Sequence, residues 1–245
     1  MGLLTFYRTV GNIQLARGLS AAIEKESSLM ARLGTLDKKK STETRSATEN
    51  VAAEDRASEV LMAAADLFYH QGFDATSMND IANAVKLTKA GLYYYTKGKG
   101  DLLYKIMRFA MDRVERDIII PCREIADSEQ RLTQIVTRHL DAIVLTGGAI
   151  TILTGEVDKL TAPQKRAIIG RKRQYFDLVC STLKELQAAG RLRDLDIRIA
   201  SLNLFSTVLG VARWYDPKGR FSRERLQNEI LQFILSALLK DRLHD

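Results

Sequence analysis

Apolar residues recur at helical spacing along most of the chain, with only short interruptions. Val60, Ala64 and Phe68 fall on one face of a helix that is predicted to start near Ala53 and to stop before Gly72. Only three prolines occur in 245 residues, which favours long helices. The pattern therefore predicts an all-α protein.

Two short helices joined by a tight turn are predicted after Gly72. Ser77 and Asp80 have the spacing of a capping box, with Asp80 in place of the usual Glu. Thr88 is placed to cap the next helix, and Leu87 and Leu92 have the spacing of a hydrophobic staple. Three helices that include such a turn make a helix-turn-helix.

Longer helices are predicted beyond this motif. One runs from about Asp101 to Ile119 and is ended or kinked by Pro121. Five more are predicted over about 129–146, 149–159, 162–189, 195–215 and 222–242.

The first fifty residues differ from the rest of the chain. Residues 37–50 are polar without a periodic apolar face, which indicates a linker or a disordered arm. Residues 3–33 could form a marginal helix, and translation from Met30 is an alternative. We therefore expect residues 1–52 to be a flexible extension.

Residues 88–99 contain three consecutive tyrosines and three lysines but no acidic residue. Hydroxyls, aromatic rings and positive charges are the groups that contact a phosphate backbone and base edges. The net charge of +7 agrees with an anionic partner. This segment therefore predicts a DNA-binding surface.

The run from Phe73 to Leu103 resembles the N-terminal domain of the TetR family of transcriptional regulators. The resemblance covers about residues 54–105 and rests on motifs in the family's order and spacing: Gly72-Phe73, Thr76, Ile81-Ala82, Leu92-Tyr93 and Lys97-x-Lys99-x-x-Leu102-Leu103. It implies a helix-turn-helix domain over 53–105 and an all-helical domain over 106–245 that binds an inducer and forms the homodimer. The chain departs from the family where Thr96 replaces Phe, where Tyr95 replaces a frequent His, and where Gly100 replaces an acidic residue.

The first group of expected DNA contacts lies at helix starts. Thr76 and Thr88 are near positions where hydroxyls and backbone N–H groups meet phosphates. Lys89 can reach guanine acceptors in the major groove. Small Ala90 and Gly91 allow the backbone to approach the groove floor.

The second group follows from the resemblance. Tyr93 and Tyr94 are expected to contact phosphate, sugar or a thymine methyl group, since adjacent helix positions differ by about 100° and cannot both face the core. Lys97 and Lys99 are expected to clamp a phosphate at the next helix start. For Tyr95, burial and DNA contact are equally open.

The C-terminal half carries a looser resemblance, over roughly residues 129–240. The segments Arg171-x-Arg173-x-Tyr175-Phe176 and Arg213-Trp214-Tyr215-Asp216-Pro217-x-Gly219-Arg220-x-Ser222 look like the ligand domain of a TetR branch that responds to acyl-coenzyme A thioesters. An apolar interior would suit the acyl chain, and arginines would suit the phosphates. The candidate ligand-binding residues are Arg213, Trp214, Phe176, Phe205 and Arg173. Core packing of Trp214 and a solvated basic face at 165–173 are the alternatives.

The last two predicted helices each have an apolar face that could form a four-helix dimer interface, with packing inside one chain as the alternative. The positions concerned are Ile197, Leu204, Val208 and Val211 on one helix, and Leu226, Ile230, Phe233, Ile234 and Leu238 on the other.

Catalytic and metal-binding patterns are not found in the sequence. The three histidines are dispersed, the two cysteines lack CxxC spacing, and no apolar run reaches the length of a membrane span. We expect no cofactor, no enzymatic activity, no membrane partner and a cytoplasmic location.

Together these features predict a homodimeric, ligand-responsive repressor that binds palindromic operator DNA. A small molecule is expected to release it from the operator, and the looser resemblance implies that this molecule is an acyl-CoA thioester. Two alternatives stay open. One is the same class of regulator with a drug-like or aromatic-acid inducer. The other is an architectural DNA-binding protein that responds to no ligand.

Overall fold

The computed structural model describes residues 43–146 and 154–240, with side chains over 56–145 and 154–240. A π-helical turn, Glu115–Ile119, and a 3₁₀ turn, Val157–Lys159, accompany the α-helices. These ranges contain no β-strand, only an isolated bridge between Leu192 and Leu239, so the all-α prediction is confirmed there. The α-helices are α1 (Glu43–Gln71), α2 (Met78–Ala84), α3 (Lys89–Tyr95), α4 (Lys99–Val114), α5 (Ile120–Arg123), α6 (Ser128–Thr146), α7 (Ala162–Ala188), α8 (Ile197–Trp214) and α9 (Arg223–Leu238).

Two local predictions differ from the structure. Helix α1 begins at Glu43, so the last part of the predicted linker is helical; its Ala, Glu and Arg residues favour helix without an apolar face. The helix predicted over 149–159 is wrong for its described part, where only the 3₁₀ turn forms before Thr161 caps α7. The helix predicted over 3–33 and the Gly147-Gly148 break lie outside the described residues.

The first hydrophobic core lies among α1 to α4. Phe68 of α1, Ile81 of α2, Leu92 of α3 and Leu103 of α4 are buried together, each worth on the order of 1.5–3 kcal/mol. Ile168 of α7 is also fully buried in this core. The DNA-binding half is therefore completed by a residue from the second half of the chain.

The domain division predicted between residues 105 and 106 falls inside α4. The next two buried positions, Ile106 and Met107, pack in the first core with α1 to α3. Ile118 and Ile119, in the π-helical turn, pack in the second core instead. Helix α4 and its continuation are thus shared between both halves.

The second core joins the π-helical turn with α5 to α9. Buried residues include Leu140 of α6, Leu183 of α7, Val208 of α8 and Ile234 of α9. Six of the nine residues predicted to form the dimer face are buried in this core: Val208 and Ile234, together with Leu204, Val211, Leu226 and Leu238. For these positions the alternative, packing inside one chain, is correct.

A different face of α8 and α9 is apolar and exposed. Ile199 and Leu202 on α8 are 60% and 57% exposed, and Phe233 on α9 is 63% exposed. Leu209 continues the α8 stripe at helical spacing. Helix α8 is therefore apolar on two sides, one for the core and one directed outward.

Pro121 explains the irregular junction between α4 and α5. Proline has no N–H, so it cannot donate to the carbonyl four residues earlier, that of Asp117. The helix widens to the π-helical turn, in which the N–H of Ile120 donates to the carbonyl of Glu115. Arg138 of α6 donates from Nη1 to the Asp117 carbonyl at 3.2 Å. A side chain of α6 thus supplies a hydrogen bond that the proline cannot make.

Arg138→Met should lower the free energy of unfolding by about 1–3 kcal/mol, because it removes a charged donor from a partly buried carbonyl. Urea denaturation of the two proteins measures this difference. Arg173→Met, at an exposed arginine of α7, is the matched control and should change stability by less than about 0.5 kcal/mol. Equal stability of Arg138→Met and the control would contradict this account of the junction.

Candidate nucleic-acid interface

The turn between α1 and α2 sets the direction of the helix-turn-helix. Gly72 has a φ of +88° and follows α1 directly, in the left-handed conformation that favours glycine. The Asp80 N–H donates to Ser77 Oγ at 3.2 Å, and the Ser77 N–H donates to Asp80 Oδ2 at 2.8 Å. The predicted capping box at the start of α2 is confirmed.

The turn between α2 and α3 is tight, and a side chain of α1 stabilises it. Lys86 has a φ of +54°, and the Leu87 N–H donates to the Ala82 carbonyl at 2.9 Å, which closes α2. Arg56 of α1 donates from Nη2 to the Val85 carbonyl at 2.6 Å. This contact of Arg56 was not predicted from the sequence, because Arg56 lies far from the turn along the chain and belongs to no recognisable motif.

Helix α3 presents the predicted recognition residues to solvent. Thr88 caps the helix by accepting the Gly91 N–H at 3.0 Å, and Leu92 is fully buried beneath it. Tyr93 is 47% and Tyr94 83% exposed. Lys89 and Ala90 are exposed in the first turn, as predicted.

Gly91 and Tyr95 lie at the edge of this surface. A Cβ on Gly91 would meet the Thr88 hydroxyl at 3.3 Å, which would disturb the helix cap. Tyr95 is half-buried in the first core, and its ring meets that of Tyr94 edge-on at 5.2 Å. Tyr95 therefore supports the more exposed tyrosine from behind.

Lys97 and Lys99 differ in their surroundings. Lys97 is exposed beside the start of α4. Lys99 is half-buried and donates from Nζ to the carbonyls of Phe73 and Asp74 at 2.8 and 3.2 Å, with its ammonium 4.9 Å from the centre of the Phe73 ring. Two of the three donors of Lys99 thus hold the loop before α2, and one is left for a phosphate.

Thr76 does not have the predicted role of a side-chain phosphate contact. Its side chain is 1% exposed, and its hydroxyl lies 2.8 Å from the Gly72 carbonyl and 3.3 Å from the Leu67 carbonyl. Its N–H also donates to Gly72. Thr76 instead ties the loop to the end of α1.

Thr96, where the sequence departs from the family, joins a polar network. Its buried hydroxyl lies 3.0 Å from Asp101 Oδ2 and accepts the Gly98 N–H at 3.2 Å. Burial raises the pKa of the Asp101 carboxyl, but hydrogen bonds from the Lys97 N–H, Lys105 and Thr96 outweigh this effect and hold the pKa below its usual range.

The five predicted ligand-binding residues fall into two groups. Phe176 and Phe205 stack with their ring centres 6.0 Å apart, and Phe205 packs against the second core. Arg173 is exposed, Trp214 is 44% exposed, and Arg213 lies beside Tyr69 of α1, where its charge partly offsets the rise that burial causes in the tyrosine pKa. The core alternative for Trp214 is therefore wrong.

A buried polar pair packs against Phe205. The Tyr175 hydroxyl lies 3.1 Å from His139 Nδ1, and the Phe205 ring meets the Tyr175 ring edge-on at 5.0 Å. Burial raises the pKa of Tyr175 well above its usual value and lowers that of His139 to about 4, so both groups are neutral. No sequence pattern indicates this pair, because the two residues meet only through packing.

The two halves meet through charged contacts as well as through the first core. Arg171 of α7 pairs with Asp112 of α4 and with Glu115, the latter at 2.7 Å. Lys159 in the 3₁₀ turn pairs with Asp74 in the loop before α2. The alternative of a solvated basic face is thus wrong for Arg171, which links α7 to α4.

Two family models match the chain. Residues 60–106 match bacterial regulatory proteins of the tetR family, and residues 126–238 match the tetracyclin repressor-like C-terminal domain. The HTH-type transcriptional repressor KstR2 of Rhodococcus jostii (strain RHA1) is 29% identical over 189 residues, which cover 75% of this chain and 91% of the relative. The fatty acid metabolism regulator protein of Bacillus subtilis (strain 168) is 20% identical over 186 residues, or 74% and 94% of the two chains.

Solved structures agree with these matches. AibR in complex with isovaleryl coenzyme A and operator DNA has a TM-score of 0.67 at 27% identity, covering 73% of this chain and 97% of AibR. KstR2 of Mycobacterium tuberculosis, at 23% identity, has the same fold, with a TM-score of 0.71 over 76% of this chain and 96% of KstR2.

The fold and the exposed helix α3 define a helix-turn-helix DNA-binding regulator with a helical C-terminal domain. The chain belongs to the TetR family of transcriptional regulators. Over the described ranges, no helix is long and apolar enough to cross a membrane. In the same ranges, no group of three or more His, Cys, Asp or Glu side chains is placed to hold a metal ion.

Thr76→Val should lower the free energy of unfolding by about 1 kcal/mol, because the carbonyls of Gly72 and Leu67 lose the hydroxyl donor while the side-chain volume stays nearly the same. The dissociation constant of the folded variant for operator DNA should equal that of the wild type. Thr76→Ser, which keeps the hydroxyl, is the control. A weakened operator complex with unchanged stability would restore Thr76 as a phosphate contact.

The buried neutral His139 should make stability depend on pH. Its folded pKa of about 4 lies below the ordinary value of 6.5, so the unfolded chain binds more protons between these values. Stability is therefore lost as pH falls, by about 2 kcal/mol between pH 7 and pH 5. Urea denaturation at the two pH values should show this loss in the wild type and in His70→Gln, but not in His139→Gln.

Proposed function

We propose that this protein is a homodimeric transcriptional repressor that an acyl-CoA thioester releases from operator DNA. The observation that carries the DNA-binding part is helix α3. Its cap and Leu92 fix it to the first core, while Lys89, Ala90, Tyr93 and Tyr94 face solvent. A helix held in this way can enter a major groove. We propose no enzymatic activity for the chain.

The exposed apolar stripe supports the homodimer. Ile199 and Leu202 of α8 and Phe233 of α9 give a surface that a second copy would cover by two-fold symmetry. Two recognition helices would then reach successive major grooves about 34 Å apart. A palindromic operator is the DNA that matches this symmetry.

The comparisons support the ligand class. The AibR structure contains both isovaleryl coenzyme A and operator DNA, and this chain spans 97% of AibR. The stacked Phe176 and Phe205 and the buried pair of Tyr175 and His139 would place apolar and hydrogen-bonding groups near an acyl thioester. The isovaleryl coenzyme A in the AibR structure favours the acyl-CoA over an uncharged drug-like inducer.

The junction between the two halves supports coupling. Ile168 is buried against the DNA-binding half, and Arg171 holds Asp112 and Glu115 of the α4 region. A ligand that shifts α7 would therefore move α4, and the recognition helix with it. Coupling of about 1–3 kcal/mol would weaken operator binding roughly 5- to 150-fold.

The test first selects the operator from random-sequence DNA, with Tyr94→Ala as the DNA-binding control. Isovaleryl-CoA and longer acyl-CoA thioesters are then added at matched concentrations, with free coenzyme A and an aromatic acid as comparisons. We expect at least one acyl-CoA to raise the melting temperature and to release the selected DNA. The acyl-CoA should raise the melting temperature of Tyr94→Ala as it does that of the wild type, but this variant should bind the operator at least tenfold more weakly.

Three results would contradict parts of this proposal. If only the aromatic acid releases the protein from the selected DNA, the inducer is an aromatic acid and not an acyl-CoA. Selection that yields no preferred sequence would indicate an architectural DNA-binding protein. A monomer in sedimentation at micromolar concentration would exclude the homodimer.

A further inference from the structure

The end of the recognition helix is held by a single side chain of the next helix. Helix α3 has only seven residues, and Thr96, directly after it, has an extended conformation. The last carbonyls of a helix need partners from elsewhere. Lys105 of α4 donates from Nζ to the carbonyl of Tyr95, the last residue of α3, at 2.7 Å. Its positive charge also suits the negative end of the helix.

Lys105 is itself held in place by Asp101, one turn earlier on α4. The Lys105 ammonium lies 3.0 Å from Asp101 Oδ2. The same oxygen accepts the Lys97 N–H at 3.0 Å and lies 3.0 Å from the Thr96 hydroxyl. The ion pair on α4 therefore hydrogen-bonds to the backbone on both sides of Thr96: Lys105 to the carbonyl of Tyr95, and Asp101 to the N–H of Lys97.

We infer that Lys105 and Asp101 are positioning residues for operator recognition, which set the orientation of α3 on α4 without contacting DNA. The inference rests on the proposed DNA-binding function. Tyr93 and Tyr94 lie in the last turns of α3, so a change in the direction of that end would displace both side chains. Base contacts depend on such placement, whereas phosphate contacts depend mainly on charge.

Lys97 provides a matched comparison on the same loop. It is exposed and flanks the start of α4, as a phosphate contact would. Removing a phosphate contact should weaken all DNA complexes alike and reduce the salt slope by about 0.9. Removing a positioning residue should weaken the operator complex selectively and leave the salt slope unchanged.

The experiment measures fluorescence anisotropy with the selected operator and with random DNA, each at several salt concentrations. The proteins are the wild type, Lys105→Met, Lys105→Arg and Lys97→Met. For Lys105→Met we expect operator affinity about tenfold lower, unchanged binding to random DNA and an unchanged salt slope. Lys105→Arg keeps a charged donor and should restore most of the operator preference.

Thermal denaturation establishes that each variant is folded. Should Lys105→Met fail to fold, Thr96→Val replaces it, because this change removes one contact of Asp101 and keeps the buried volume. The same selective loss is expected for Thr96→Val.

Two outcomes would overturn the inference. A lower salt slope with an unchanged preference for operator would make Lys105 a phosphate contact. Unchanged operator binding in the folded variant would show that the network does not orient α3. A wild type without any operator preference would instead refute the proposed function, so the two failures are distinguishable.

Discussion

Both halves of the molecule depend on the packing of one continuous helical segment, from Lys99 to Arg123. Its first part buries Leu103 and Met107 against the helix-turn-helix, and its last part buries Ile118 in the second core. Val114, between these parts, packs against both cores. Since this segment also supplies Lys99, which holds the loop before α2, the orientation of the DNA-binding surface follows from how the segment sits on α6 and α7.

The helix-turn-helix could be predicted from the sequence because its determinants are local. Ser77 with Asp80 and Thr88 with Gly91 are pairs three residues apart, and their hydrogen bonds require no knowledge of the rest of the fold. Thr76 was predicted to contact a phosphate, because its position in the sequence does not reveal that its hydroxyl is buried against the Gly72 carbonyl. The error concerns one side chain and leaves the helix order intact.

The C-terminal half was less predictable because its contacts join residues far apart in the chain. Periodicity identified α8 but could not say which of its two apolar faces meets the core. Leu204 and Val208 were therefore predicted at a dimer surface, whereas the exposed apolar positions of this helix include Ile199 and Leu202. In the same way, His139 and Tyr175 have no shared pattern, and only the packing of α6 on α7 brings them together. Phe176 and Phe205, predicted to line a ligand pocket with Trp214, stack on each other, and their contact with a ligand stays a prediction.

The π-helical turn at Glu115–Ile119 makes the helical segment one residue longer than a regular helix over the same path. In α4, a one-residue deletion would rotate every later side chain by about 100° and remove Ile118 from its core. Within the turn, deletion of the exposed Arg116 would instead convert the wide turn into a regular one. The segment therefore has one short stretch where its length can change without altering which residues face each core.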